Sequence, residues 1–334
     1  MYDKLIWDLL LTRKHNNHKR ILEKLQPGYN SDNETEALEK EKMYKKIIWE
    51  LLSIRRHNNH KQNLARLQRG YNADKEKETV KKMLKTGFFD FIYHDNGLGA
   101  SNAGPKKLFV LFEILKENGY SYEDFYKLNK YGFRSDEFTT DHEGKHILFA
   151  GCSYTYGDSV FLEDSWAYKV YLDIAEKEKL SGYFNLGNPG ASTKESIDQI
   201  FSYIELFGNP EVIFLLMPNP ERDFHDNSYS DLFLSTSKLI EHCQNNNIKL
   251  FLSSWDLREH WGEEEDPKLK ILGYSNMDID KMSTHVGEFC ENNKDHKLSK
   301  FFLYAFDLEH PGIAIHDYYR KFFYDLYIRT YSEK

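Results

Sequence analysis

Short apolar runs punctuate the second half of the chain, and helical periodicity fills the stretches between them. Residues 146–150, 182–186, 211–217, 248–254 and 301–305 read as buried strands, because each is brief, apolar and bounded by turn-forming or polar residues. Residues 165–179, 192–207, 229–246 and 313–330 instead place apolar side chains three and four apart, as helices do. Strands alternating with helices in this way predict a parallel sheet covered by helices on both faces, an α/β domain over 141–334.

Upstream the pattern changes. Tyr2-Asp3-Lys4-Leu5-Ile6-Trp7 returns as Tyr44-Lys45-Lys46-Ile47-Ile48-Trp49, His15-Asn16-Asn17-His18 returns as His57-Asn58-Asn59-His60, and Gly28-Tyr29-Asn30 returns as Gly70-Tyr71-Asn72. Residues 1–85 are therefore a duplicated, α-helical N-terminal extension with copies at about 1–42 and 43–84. Two copies fall short of the roughly three a solenoid needs, so the repeats pair with each other or dock elsewhere, a protein partner included. Residues 86–140 form a connecting region, with a loop at Asn96–Pro105 and a helix at Lys106–Asn118. That Gly-rich loop lacks the Lys-Ser/Thr ending of a phosphate loop, which argues against nucleotide binding.

Composition narrows the choices. With 334 residues the chain exceeds one typical domain, and 40% hydrophobic residues suffice for a core. A net charge of −8 argues against a general nucleic-acid binder. Three cysteines, Cys152, Cys243 and Cys290, do not make a disulfide framework and fit a reducing compartment. No run approaches the ~20 apolar residues of a membrane span, and acids interrupt the first apolar run, as in no signal peptide. A cytoplasmic or virion-associated protein is expected. The His-Asn-Asn-His pairs have two histidines at helical spacing, but flanking Arg13, Lys14, Arg55 and Arg56 oppose a cation. No metal is expected there.

Candidate chemistry sits at the strand ends. Ser153 follows Gly151-Cys152 at the end of the first strand, where open α/β sheets place their ligands. Its hydroxyl is a nucleophile if a base reaches it, and otherwise a helix cap. Asp307 and His310, three apart after the last apolar run, can supply that base and its orienting acid. Ser159, in Gly157-Asp158-Ser159, lies several residues past the strand end, so geometry favours Ser153. Cys152 is the weaker alternative nucleophile, Asp256 the reserve acid, and His316 a base only under a different turn register.

The order of these blocks resembles the SGNH (GDSL-like) hydrolases, over roughly residues 130–330. Gly151-Cys152-Ser153 matches the nucleophile block, Asn185 to Ser192 the second, Asn219 after residues 212–217 the third, and Asp307 with His310 the last. The variant Gly-Cys-Ser-Tyr-Thr-Tyr-Gly-Asp, with Tyr131-Gly132-Phe133-Arg134-Ser135 upstream, is similar to a phage and environmental bacterial branch. The chain departs from the family in Cys152, where an Asp usually braces the loop, and in Met217-Pro218-Asn219-Pro220. The resemblance implies a flavodoxin-like three-layer α/β/α fold and a cofactor-free serine esterase. Ser153, Asp307 and His310 would be the triad, with oxyanion donors at the Ser153 and Gly190 N–H groups and the Asn219 amide.

The expected reaction is acyl-ester hydrolysis, with O-deacetylation of a carbohydrate as the specific case. Arg222, Arg134 and Trp255 are the substrate-contact candidates. Lipase or thioesterase activity is an alternative, as is a non-catalytic glycan-binding or virion-associated protein on the same scaffold.

Overall fold

The computed structural model describes Trp49, Arg56, His57, Leu111 and residues 114–218, 229–255, 277–307 and 310–332. The chain divides into two compact units, Met1–Gln62 and Asn63–Lys334. In the first, Trp49, Arg56 and His57 are helical and Trp49 is buried. The remainder of the duplicated region lies outside the described residues.

The second unit is an α/β fold on a four-stranded parallel sheet, as the alternating pattern predicts. Its strands are β1 (Ile147–Gly151), β2 (Phe184–Asn185), β3 (Val212–Met217) and β4 (Lys249–Ser254), in the order β2-β1-β3-β4. Every residue of β1 and β3 is buried, because helices cover both faces of a parallel sheet. Alternate side chains face opposite ways. Ile147, Phe149, Val212, Phe214, Leu216 and Phe251 pack with α3 (Trp166–Ala175) and α7 (Ile313–Ser332). Phe149, Phe214 and Phe251 stack across three strands, with centroids 5.2 and 5.0 Å apart. The opposite face carries α4 (Thr193–Phe207) and α5 (Tyr229–Asn245). Helix α4 starts at a capping box, in which Ser192 and Glu195 satisfy each other's backbone N–H groups.

Two further pieces complete the unit. The one-turn helices α1 (Tyr122–Phe125) and α2 (Ser153–Tyr156) flank the sheet edge, and α6 (Ile279–Asn292) packs on α7. The sequence pattern does not announce α6, since Val286 is its one buried side chain. A second aromatic cluster joins Leu111, Ile114, Tyr122, Phe125 and Tyr126 to Phe301, Phe302, Phe306 and Ile313.

The run 301–305 is not the fifth strand its composition suggests. Ser299–Phe301 is a 3₁₀ turn, and Tyr304 forms an isolated antiparallel bridge with Pro311. Residues 303–305 and 310–312 instead pair with each other in a local reversal, Ala305 N–H with His310 O at 2.9 Å and Gly312 N–H with Leu303 O at 2.9 Å. Phe301, Phe302 and Phe306 fill the second cluster while Leu303 and Tyr304 stay exposed. Among the described residues, no helix is long and apolar enough to cross a membrane.

Candidate active site

The connections from β1 to β2 and from β2 to β3 run in opposite directions, so the strand order reverses between β1 and β3. Ligands of open α/β sheets bind beyond the strand ends at such a point. Ser153 is there. It opens α2 directly after β1, is almost fully buried, and its hydroxyl has no hydrogen bond among the described residues. As the first residue of the turn its N–H has no preceding-turn carbonyl to bind. Tight packing holds the turn. A Cβ on Gly151 would meet Thr155 Oγ1 at 2.3 Å and Leu216 O at 2.5 Å. Gly157, in the left-handed region at φ 71°, closes the turn with its N–H on Ser153 O.

The second block braces α2 from the β2 side. Asn185 Nδ2 donates to Thr155 O at 2.9 Å, its Oδ1 accepts from Gly187 N–H at 2.7 Å, and Asn188 N–H donates to Gly151 O at 3.0 Å. Gly187 lies so close that a Cβ would meet Tyr156 N at 2.3 Å. Asn188 to Ala191 then form a turn closed by Ala191 N–H on Asn188 O at 3.0 Å. Gly190, at φ 80°, takes the position of that turn whose N–H the turn itself does not use. It is exposed.

Asp307 and His310 come together in the local reversal. Asp307 is buried, its Oδ2 is 2.5 Å from His310 Nδ1, and its Oδ1 accepts from His310 N–H at 3.1 Å. A carboxylate on Nδ1 fixes the proton there and leaves Nε2 as the acceptor. The His310 ring meets the edge of Tyr154, the residue after Ser153, at 6.1 Å between centroids. Tyr154 also stacks on Trp255, just past β4, at 4.5 Å and 30°. Thus Tyr154, the neighbour of Ser153, has ring contacts with both His310 and Trp255.

Other candidates sit elsewhere. Arg134, expected as a substrate contact, is enclosed in the protein, and its guanidinium donates to the carbonyls of Phe125, Gly157 and Val160. Ser159 is a buried corner at φ 59°, with its N–H on Tyr126 Oη and its carbonyl accepting from Phe306 N–H, both at 2.9 Å. Cys152 is fully buried beneath the turn. His316 accepts the Trp166 N–H on Nδ1 at 3.2 Å, and burial, helped by the positive charges around it, lowers its pKa to about 3. Asn219, Arg222 and Asp256 lie outside the described residues. The Asn185 brace and the backing role of Arg134 are the parts that sequence reading missed. Their polar atoms bond mainly backbone carbonyl and N–H groups, which no motif spells out.

No family model matches the chain, and no curated protein does. Solved structures it resembles include a psychrotrophic esterase from Pseudoalteromonas sp., at 14% identity and TM-score 0.40, covering 56% of this chain and 98% of the esterase. Another is a Bacteroides fragilis protein described as an acylhydrolase, at 16% identity and TM-score 0.33, covering 57% of this chain and 90% of that one. Likeness at this level does not speak to activity.

Proposed function

We propose that this protein is a serine hydrolase that cleaves acyl esters, with the acetyl groups of a carbohydrate as its preferred substrate. The observation that carries the reading is the 2.5 Å Asp307–His310 pair, brought beside the Ser153 turn through Tyr154. Serine is a weak nucleophile near neutrality and needs such a base. In the proposed cycle Ser153 Oγ attacks the ester carbonyl as His310 Nε2 takes its proton. Asp307 steadies the imidazolium. The oxyanion is met by the N–H groups of Ser153 and Gly190 and by the Asn219 amide, donors worth about 100- to 1000-fold in rate each. His310 returns the proton to the leaving alcohol. Water, deprotonated by the same base, then frees the acid and restores Ser153.

The sugar preference follows from the resemblance to SGNH hydrolases. Arg222 is proposed as a further substrate contact, and the duplicated N-terminal region as a docking element for a protein partner. Hydrolysis of p-nitrophenyl acetate and longer-chain esters by wild type, Ser153→Ala and Ser159→Ala tests the core of this. Activity should vanish in Ser153→Ala and persist in Ser159→Ala, with acetyl preferred to long chains. The reverse pattern of losses would move the nucleophile, and preference for long chains would make the protein a lipase or thioesterase. An inert wild type would favour the non-catalytic scaffold.

A further inference from the structure

The segment ahead of the sheet does more than fill the second cluster. Arg134 Nη1 donates to Gly157 O at 2.6 Å and Val160 O at 3.0 Å, while Nη2 donates to Phe125 O at 2.9 Å. One guanidinium thus pins α1 to both ends of the corner that follows Ser153. It does so almost fully buried and with no ion pair among the described residues. Burying a charge costs several kcal/mol, and here three carbonyls and the faces of Phe125 and Tyr126, at 5.0 and 5.2 Å, offset it, so the guanidinium and the corner hold each other in place. Tyr126 adds a second lock. Its hydroxyl donates to Asp158 Oδ1 at 2.5 Å and accepts from Ser159 N–H at 2.9 Å, and its ring stacks on Tyr156 of α2 at 5.7 Å. On its far side the same corner holds the other half of the candidate site, because Ser159 O accepts from Phe306 N–H at 2.9 Å. Asp307 is the next residue.

We infer that Tyr126 and Arg134 are positioning residues that lock the Ser153 turn to the Asp307–His310 loop through the corner Gly157–Val160. The inference rests on the proposed triad for its catalytic consequence, although the lock itself is a property of the fold. Both residues act through backbone and through Asp158 and touch no reacting atom. Nucleophile and base come from segments far apart in sequence, so their separation is set by whatever joins them. A misplacement of about 1 Å can cost on the order of 100-fold in rate.

Tyr126→Phe tests this, since it keeps the ring and removes only the hydroxyl. In the full chain, amide hydrogen exchange should rise in two segments, 153–160 and 304–310, with the sheet unchanged. The rate of Ser153 labelling by a fluorophosphonate, and kcat on p-nitrophenyl acetate, should fall by about 10- to 100-fold with KM within about twofold. Asp158→Asn, which keeps an acceptor for Tyr126, should recover most of the rate lost in Asp158→Ala. Arg134→Lys keeps the charge but cannot reach three carbonyls, and should resemble Tyr126→Phe. Exchange confined to 153–160, or labelling and kcat unchanged in Tyr126→Phe, would overturn the inference while leaving the triad standing. A wild type that neither labels nor hydrolyses would overturn the triad instead, and the exchange pattern would still decide whether the two segments are locked.

Discussion

Ser153 and Ser159 are six residues apart, both buried, and behave as opposites. Ser159 has its backbone N–H and carbonyl tied on two sides, whereas the Ser153 hydroxyl is bonded to nothing described. That contrast was legible in sequence through one fact, the distance of each from the end of an apolar run. The left-handed φ of Ser159 was not, because Gly and Asn are the residues that normally advertise it. Ser159→Gly should therefore keep the full proposed hydrolase activity and change stability by no more than about 1 kcal/mol, as measured by urea titration. Asp307→Asn should leave the fold intact and lower kcat by about 10⁴-fold, since an amide on Nδ1 lets the imidazole take the wrong tautomer. A loss of less than about tenfold would remove Asp307 from the proposed triad.

Among elements, β1 and β3 were readable because each is apolar and buried along its whole length, as burial on two faces requires, while β4 kept an apolar Leu250–Leu252 centre. The same signature misled at 301–305. An apolar run shows that a segment is buried and does not show against what. Phe301, Phe302 and Phe306 are buried against Phe125 and their own neighbours, with no strand beside them among the described residues. Helix α6 escaped for the converse reason, with too thin a buried stripe to mark the sequence. Phe214 sits between Phe149 and Phe251 in the stack and meets Phe323 of α7 edge-on at 5.7 Å. Phe214→Ala should destabilise the protein by about 3–5 kcal/mol, well beyond the effect of removing an exposed side chain such as Leu303. Chemical denaturation of both variants checks the ranking.

For the molecule as a whole, two buried histidines set a response to acid. His146, at the start of β1, has a pKa of about 3, lowered first by burial and then by the stacked His142; that of His316 is also about 3, lowered mainly by burial. Each takes up a proton near its ordinary 6.5 when unfolded but resists it when folded. Their contribution to stability is complete above about pH 6.5 and drains away as pH falls toward 3, at roughly 1 kcal/mol per pH unit for each. Urea midpoints at pH 7 and pH 5 should drop less in His316→Gln than in wild type. An equal drop in both would show that His316 titrates normally.

The aromatic cluster that unites Leu111–Tyr126 with Phe301–Ile313 also governs the order of events at birth. A chain emerging from the ribosome presents Tyr122, Phe125 and Tyr126 long before their partners exist. These rings wait through the synthesis of the entire sheet, and the Ser153 turn waits with them. Closing loops of this length is slow and leaves apolar surface uncovered. The nascent chain is accordingly most exposed to aggregation and to chaperones until Phe301, Phe302, Phe306 and Ile313 have emerged to cover those rings.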